Sequence, residues 1–421
     1  MPEHSGSAFL ESALSSPCPS NWEGLRKSAL EQIRTTQLPT TRHEDWKYLD
    51  LSPVYSQQFS SASDTGQAPP AECQVDETCH SRLVFVNGVW DPKQSDISGL
   101  PGEIQFSLLD AANHVAAKYL GGLADPKKSD VFANINTARF ADAALIHIPS
   151  GHTLETTALH LVFQTSGAKR GRLPVTFPRL LVVLEPGAKA HLVEEYHGTE
   201  SYLTTSVIEI ALGEGAALRH DRIQRESEEA YHFCTLLAQL ETSASYTSTT
   251  VSLGSSLSRQ NTSVALTGDG AELELNGLCV IGASQTADTH SIIDHSAQNC
   301  TSRQLQKFVI DGKAHGVFNG QIKVRAGIQQ TNAIQSSRNL LLSDSARIDT
   351  KPQLEIFADD VKCSHGATIG QLNAEEMFYL QSRGLDLEAA RNLLLTGFAS
   401  EVLERLGLPS LRHALRQHAI L

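Results

Sequence analysis

The 421-residue sequence predicts a mainly β protein, in which a long body of stacked short strands lies between helical regions at the two ends. From about residue 140 to about residue 370, short apolar runs follow one another and are separated by Gly, Pro, Asp or Ser. A Gly-Ala turn phrase recurs at Gly187, Gly215 and Gly270, and the second interval between these glycines is close to twice the first. A nearly constant period is typical of a solenoid, although a β-sandwich remains an alternative on spacing alone.

The turn phrase has a fourth, looser copy at Asp344-Ser345-Ala346, which we assign to the same family of turns. With it, the rungs extend through residues 139–370, and we take this range as the β core.

Residues 1–138 form the predicted N-terminal region, which is helical and mixed. Within it, residues 21–36 have apolar side chains at helical spacing after a possible cap at Asn21. Residues 83–90 read as a short β segment with a turn at Asn87-Gly88.

Residues 371–421 form the predicted C-terminal helical domain. Asn373 and Asp386 are plausible caps of two helices, Gly384 separates them, and Pro409 opens a third. Because an open last rung would leave unpaired backbone groups, we expect these helices to cover the end of the solenoid.

Composition excludes several classes of protein. The chain has 34 Lys and Arg against 47 Asp and Glu, a formal charge of −13 that disfavours general nucleic-acid binding. There is no apolar run of about 18 residues, which argues against a membrane span, and the first residues resemble neither a signal nor a transit peptide. Seven scattered cysteines, an odd number without a CxxC pair, favour a reducing compartment, so we expect a cytoplasmic protein.

The sequence lacks the common catalytic signatures. It contains no GxxxxGK[ST], GxSxG or HExxH motif, so neither ATP binding through a P-loop nor standard hydrolase chemistry is indicated. Much of catalysis is thereby left without a candidate residue.

The most suggestive segment is residues 350–370, TKPQLEIFADDVKCSHGATIG. Read as one continuous strand, it buries Leu354 and Ile356 on one face and projects Cys363 and His365 from the other, with their Cα atoms about 6.6 Å apart. Thiolate and imidazole are good ligands for iron and zinc. Two ligands alone rarely hold a metal, so a packing role for both residues remains the alternative.

Four segments resemble the SufB/SufD family of iron–sulfur cluster assembly proteins, and more closely its SufD branch. These are TRHEDWKYLDL at 41–51, DGKAHGVFNGQIKV at 311–324, SSRNLLLSDSARIDTKPQLEI at 336–356 and ADDVKCSHGATIG followed by FYLQSRG. The resemblance implies a right-handed parallel β-helix flanked by helical regions, in agreement with the solenoid prediction.

The resemblance also implies partners and the role of a scaffold subunit that is not itself an enzyme. Members of the SufD branch pair with SufB through the β-helix core, and each binds the ATPase SufC through its C-terminal helical region, here about residues 371–410. ATP-driven dimerisation of SufC is expected to twist the core and expose the SufB–SufD interface, where a nascent cluster forms. A homodimer is possible when SufB is absent.

The resemblance maps the family's interface histidine onto His365 and its neighbouring cysteine onto Cys363. No tightly bound cofactor is expected, only a transient iron–sulfur cluster shared with the partner chain. Two alternatives are a cytosolic carbohydrate-active β-helix enzyme and a stand-alone metal-binding protein. Activity on acidic polysaccharides would identify the first, and iron retained by the isolated chain the second.

Overall fold

The computed structural model describes residues 2–15, 21–62, 75–102, 105–108, 112–168 and 171–418. The N-terminal region contains helices α1 Pro2–Ala13, α2 Glu23–Thr35, α3 Ser52–Tyr55, α4 His114–Tyr119 and α5 Val131–Arg139, and strands β1 Phe59–Ser61, β2 Arg82–Val86, β3 Val89–Trp90 and β4 Gln105–Leu108. None of the described helices combines the length and the apolar character that a membrane crossing requires.

The strands after residue 143 alternate between two sheets. Strands β5 Ala144–Ile148, β7 Leu173–Thr176, β8 Arg179–Leu184, β10 Leu203–Leu212, β12 Tyr231–Leu240, β14 Leu257–Leu266, β16 Thr286–His295, β18 His315–Val324 and β20 Arg347–Ile356 lie in sheet A. Strands β6 Thr153–Ser166, β9 Lys189–Thr199, β11 Ala217–Arg225, β13 Ser245–Ser252, β15 Glu272–Ile281, β17 Thr301–Ile310, β19 Thr331–Leu341 and β21 Val361–Gly370 lie in sheet B.

Each rung of the fold adds one strand to each sheet, and neighbouring rungs pair in parallel. Leu203 of β10 pairs with Tyr231 of β12, and Ala217 of β11 pairs with Ser245 of β13, so the two sheets advance by the same length of chain at this step. A β-sandwich is built from antiparallel strands. The parallel β-solenoid predicted from the repeat is therefore confirmed, with about 7 turns and with helices in the N-terminal and C-terminal parts of the chain.

The predicted turn phrases mark one corner of the solenoid. Gly187, Gly215 and Gly270 all have positive φ, and the amide of Gly187 donates to the carbonyl of Glu214 one rung along, at 2.8 Å. Ser243, with φ 53°, occupies the same corner about midway between Gly215 and Gly270. The fourth phrase was assigned wrongly, because residues 344–346 precede β20 and lie at a corner that leads into sheet A.

Apolar side chains from both sheets fill the interior of the solenoid. Buried examples are Ile146, Leu161, Val182, Leu192, Ile210, Leu236 and Val264. Full burial of a Leu, Ile or Val side chain contributes about 1.5–3 kcal/mol, so the stacked interior is the main stabilising element. Towards the last rungs, part of this interior becomes polar and includes Gln304 and Gln335, both buried.

The N-terminal region covers the outer face of sheet A in the first rungs. Phe132 of α5 stacks on Phe233 of β12, with ring centroids 3.6 Å apart. The Asn136 side chain donates to the carbonyls of Pro178 and Thr205 at 2.8 and 2.7 Å. Arg179 and Glu209 form an ion pair with no exposed surface on either side chain.

Three C-terminal helices, α6 Ala374–Ser382, α7 Leu387–Leu403 and α8 Pro409–His418, follow the last rung. Helices α7 and α8 pack along the outer face of sheet B, where Leu395, Val402 and Leu403 join a buried cluster with Val251 and Leu278. The expectation that these helices cover the end of the solenoid was wrong. The sequence of an amphipathic helix shows which of its residues form the apolar face, but it does not show against which surface of the protein that face packs.

Most of the predicted local features are present. Helix α2 spans Glu23–Thr35, and β2 and β3 form an antiparallel hairpin around Asn87-Gly88. Asn373 and Asp386 cap α6 and α7 by accepting backbone N–H groups. The proposed cap at Asn21 was wrong: Trp22 occupies the position before α2 in a left-handed conformation, without a side-chain cap.

Candidate functional site at the open end of the solenoid

The segment around residues 350–370 forms two strands instead of one. Strand β20 ends at Ile356, and β21 begins at Val361 in the other sheet. The prediction of a continuous strand with two opposed faces was therefore wrong. Residues 357–360 form the corner between the sheets, and this break resets the alternation of side chains.

Cys363 and His365 share the face of β21 that is directed towards the interior of the solenoid. Their partners in the preceding strand are Ala333 and Gln335, neither of which has any exposed surface. Ile334, which lies between those partners, is 42% exposed and belongs to the outer face. Since side chains alternate along a strand and parallel neighbours keep the same face, Cys363 and His365 continue the two inward columns.

No described strand pairs with the free edges of β20 and β21. His365 is consequently exposed, although it occupies an inward position. Cys363 is half-buried against the interior cluster. The last rung thus presents at its open end side chains that would be interior in any earlier rung.

Burial raises the pKa of the Cys363 thiol, although a hydrogen bond with the Ala333 backbone opposes this effect. The thiol form is therefore favoured in the isolated chain. A thiolate is the form that binds metal and attacks sulfur, and a nearby cation or metal would favour that form of Cys363.

Among the residues that the structure describes, no group of three or more His, Cys, Asp or Glu side chains could hold a metal ion. Within the described part of the chain, His365 and Cys363 are therefore not accompanied by a third side chain of this kind.

The open end also carries exposed apolar surface. Phe357 is 61% exposed, Ile369 is 53% exposed and Ile356 is 36% exposed. Unpaired strand edges with apolar neighbours are a template for pairing with another chain. The end of the solenoid has the character of a protein interface.

A second exposed apolar surface lies on α6 and the beginning of α7. Phe378, Tyr379, Leu387 and Leu393 are all more than half exposed, and no residue of α6 is buried. Between the two helices lies a groove of about 460 Å³, lined in part by Tyr379, Leu380 and Leu394. This surface lies within the range predicted to dock an ATPase.

Sequence reasoning placed His365 and Cys363 in a candidate site but missed the residues that surround them. Gln335 carries no motif of its own. Gln335 precedes His365 by one rung of the solenoid, and this relationship can be recognised only once the pairing of β19 with β21 is known. The exposure of Phe357 and Ile369 has no sequence signal, because a repeat does not show which rung is left open.

The fold and the open end define a parallel β-solenoid in which apolar side chains are exposed beside unpaired strand edges. Comparison with known proteins shows the family to which it belongs. Residues 163–398 match the model of the SUF system FeS cluster assembly SufBD core domain, and residues 10–159 match that of the SufBD protein N-terminal region. The chain belongs to the SufBD family of iron–sulfur cluster assembly proteins.

Three relatives illustrate the similarity. The chain is 38% identical to an iron–sulfur cluster assembly SufBD family protein of Synechocystis, over 93% of this chain and 89% of the relative. It is 32% identical to the iron–sulfur cluster assembly protein SufD of Escherichia coli, over 91% and 90%. It is also 32% identical to the chloroplastic protein ABCI7 of Arabidopsis thaliana, over 94% and 84%.

Proposed function

We propose that this chain is the SufD-like scaffold subunit of a SufB–SufC–SufD assembly, in which it helps to form a nascent iron–sulfur cluster and catalyses no reaction alone. The observation that carries the proposal is the open last rung, where His365 stands exposed in an otherwise interior column. A second solenoid docked on this end would cover both free edges and the exposed Phe357 and Ile369.

In this arrangement the cluster is cargo, not a resident cofactor. His365 contributes an imidazole from one side of the interface, and SufB contributes the ligands that this chain lacks. Cys363 stands beside it on the same face of β21 and is the second candidate ligand. Burial raises the pKa of the Cys363 thiol, so Cys363 would have to release a proton when it binds a metal.

ATP hydrolysis in SufC supplies the work. SufC docks on residues 371–410, where Phe378 and Leu393 are exposed beside the groove between α6 and α7. Helix α7 is fastened to sheet B: the ammonium of Lys307 pairs with Glu401 and donates to the carbonyl of Phe398 at 2.8 Å. Movement of the helices can therefore be transmitted to the last rungs, and coupling of about 1–3 kcal/mol is typical of such linkage.

The experiment is co-expression of this chain with its SufB and SufC, followed by size-exclusion chromatography and iron and sulfide analysis of the complex. His365→Ala should leave the complex intact and remove most of the iron and sulfide. His152→Ala is the matched control, because His152 is also exposed but lies at a corner of an early rung. Equal cluster content in the two variants would remove His365 from the mechanism.

A second arm tests the interface itself. Ile369→Lys places a charge on the open end and should prevent pairing with SufB without unfolding the chain. Ile97→Lys is the control, because Ile97 is 41% exposed in the N-terminal region, away from the open end. Undiminished pairing by the Ile369 variant would locate the SufB interface elsewhere. Without SufB, a homodimer formed through the same end should respond to the same substitution.

A further inference from the structure

A ladder of polar side chains crosses the interior of the last rungs. Gln304 of β17, Gln335 of β19 and His365 of β21 occupy the same inward column in adjacent strands. Neighbouring strands in a sheet are about 4.8 Å apart. Amide side chains stacked at this spacing can bond to one another along the column, as in the Asn and Gln ladders of stacked β structures.

Hydrogen bonds join the buried side chains of the ladder, and Gln304 Oε1 also accepts from Ser291 Oγ at 3.1 Å. The Gln304 Nε2 group donates to Ser291 Oγ at 2.8 Å, and the Gln335 Nε2 group donates to Gln304 Oε1 at 2.8 Å. Because Gln304 presents its oxygen to Gln335, the Gln335 amide must turn its NH₂ group towards Gln304. The side chains of Ser291, Gln304 and Gln335 are buried, so these hydrogen bonds are shielded from water.

Gln335 ends the ladder with an unused acceptor. Its Oε1 atom is buried and has no hydrogen-bond partner, although the side chain has no exposed surface. A buried carbonyl oxygen without a partner is rare in folded proteins. The next side chain in the same column is His365, whose ring carries at least one N–H donor in every protonation state.

Gly320 leaves the space in which the Gln335 amide sits. A Cβ atom at position 320 would overlap with Gln335 Nε2, far inside contact distance. Gly320 is in β18 of sheet A, on the opposite wall of the interior. Both walls therefore hold the amide in its place at the end of the ladder.

We propose that Gln335 is a positioning residue for His365: its Oε1 accepts the N–H of one ring nitrogen and leaves the lone pair of the other nitrogen available to the nascent cluster. The proposal rests on the proposed function, in which His365 is a ligand. A histidine ligand is commonly oriented through a hydrogen bond from its other ring nitrogen, which also selects the tautomer.

The contact is not formed in the isolated chain, where Gln335 Oε1 has no partner and the His365 ring is exposed to water. A partner that covers the open end displaces that water from the His365 ring. The ring N–H then finds its acceptor in Gln335 Oε1, which belongs to the neighbouring side chain of the column. Docking of SufB therefore orders the ring before any iron arrives.

The test is ¹⁵N NMR of the His365 ring in the SufB–SufC–SufD complex without cluster, at fixed pH, with ¹⁵N-histidine in this chain and assignment by His365→Ala. The wild-type complex should show one dominant tautomer. Gln335→Met keeps the length of the side chain but removes the acceptor, so it should give a mixture of tautomers. Gln306→Met is the control, because Gln306 is also buried but lies in the adjacent column.

The second readout is cluster retention, which should fall about tenfold in the Gln335 variant, the lower end of the loss seen when a group that orients a metal ligand is removed. If Gln335→Met does not fold, Gly320→Ala serves instead, since it displaces the same amide and should give the same mixture. An unchanged tautomer population in the folded variant would overturn the proposal. The tautomer is read without cluster, so this result is independent of whether His365→Ala abolishes assembly.

Discussion

Gly407 donates its backbone N–H to the buried carboxylate of Asp221 at 2.7 Å, and the same Asp221 oxygen accepts a hydrogen bond from the His191 ring at 2.8 Å. Asp221 is in β11 and His191 in β9, whereas Gly407 follows α7. The contact ties the C-terminal helices to sheet B at the middle of the solenoid. A Cβ at position 407 would overlap with His191 Cε1, so a larger residue would have to displace the ring that bonds to Asp221.

Gly407→Ala should therefore destabilise the docking of α7 and α8. Forcing an extra methyl group into a packed site costs about 1–3 kcal/mol. Gly397→Ala is the matched control, because a Cβ at this helical position meets no atom within 4 Å, and it should stabilise α7 by about 0.5–1 kcal/mol. Urea unfolding followed by circular dichroism measures both, and the reverse order of stability would contradict this account.

The buried pair of Arg179 and Glu209 supports a second prediction. Besides pairing with Arg179, Glu209 accepts backbone N–H groups from Gly121, Leu123 and Ala124 at 3.0–3.1 Å. Glu209→Gln leaves the Arg179 charge buried without its counter-charge, which costs about 3–5 kcal/mol.

The control for this variant is Asp294→Asn. Asp294 pairs with Arg325, whose side chain is 59% exposed, so its loss should cost no more than about 1 kcal/mol. The measurement is the free energy of unfolding of each variant in urea. If the two variants lost similar amounts of unfolding free energy, the buried Arg179–Glu209 pair would contribute no more to stability than an exposed pair.

Stability should also depend on pH through His295. Burial lowers the pKa of His295 to about 4, although Asp294 opposes the shift, and its Nε2 lies 2.9 Å from Ser302 Oγ. The unfolded chain, with an ordinary histidine pKa near 6.5, binds the proton first as the pH falls. The contribution of His295 is therefore complete above pH 6.5 and is lost between pH 6.5 and about 4.

His295→Gln removes this titration and keeps a polar group near Ser302. Since one pKa unit corresponds to about 1.4 kcal/mol, the wild type should lose roughly 3 kcal/mol more than the variant between pH 7 and pH 4. Urea unfolding at a series of pH values gives the difference directly. Parallel pH profiles would show that the ring is not held neutral.

The rungs could be predicted because a repeat is a local property of the sequence. Gly187 and Gly215 are visible since only glycine enters the left-handed region without strain. The intermediate turn at Ser243 and the later one at Asn299 use the same backbone conformation without glycine. Asn enters the left-handed region more readily than most residues, but Ser and Asn are also common in other turns. The sequence therefore does not show the position of these two turns, and the structure does.

The candidate site could be predicted only in part. A family motif identified Cys363 and His365, but their direction depends on a corner at residues 357–360 that resets the alternation. Whether His365 is exposed depends on the absence of a following rung, which is a property of the assembled sheet. The same holds for Gln335, which becomes relevant only through its pairing with a residue one full rung later in the chain.

Removing the whole C-terminal segment would not test docking of the ATPase cleanly. Leu395, Val402 and Leu403 cover the outer face of sheet B, so their loss would expose Val251 and Leu278 and destabilise the solenoid. A point substitution on the exposed side of α6 avoids this problem, because no residue of that helix is buried.

Phe378→Ser is that substitution, since Phe378 is 72% exposed and is the largest apolar side chain on the surface beside the groove. It should leave the free energy of unfolding within about 0.5 kcal/mol of the wild type, as for other exposed sites. If Phe378 is an anchor of the SufC interface, the dissociation constant should rise about 30-fold or more, which corresponds to the roughly 2 kcal/mol of a hot-spot residue. Val89→Ser, at a 41% exposed site in the N-terminal hairpin, should leave binding unchanged. Isothermal titration of SufC into each variant measures the affinity, and equal affinities would place the ATPase on another surface.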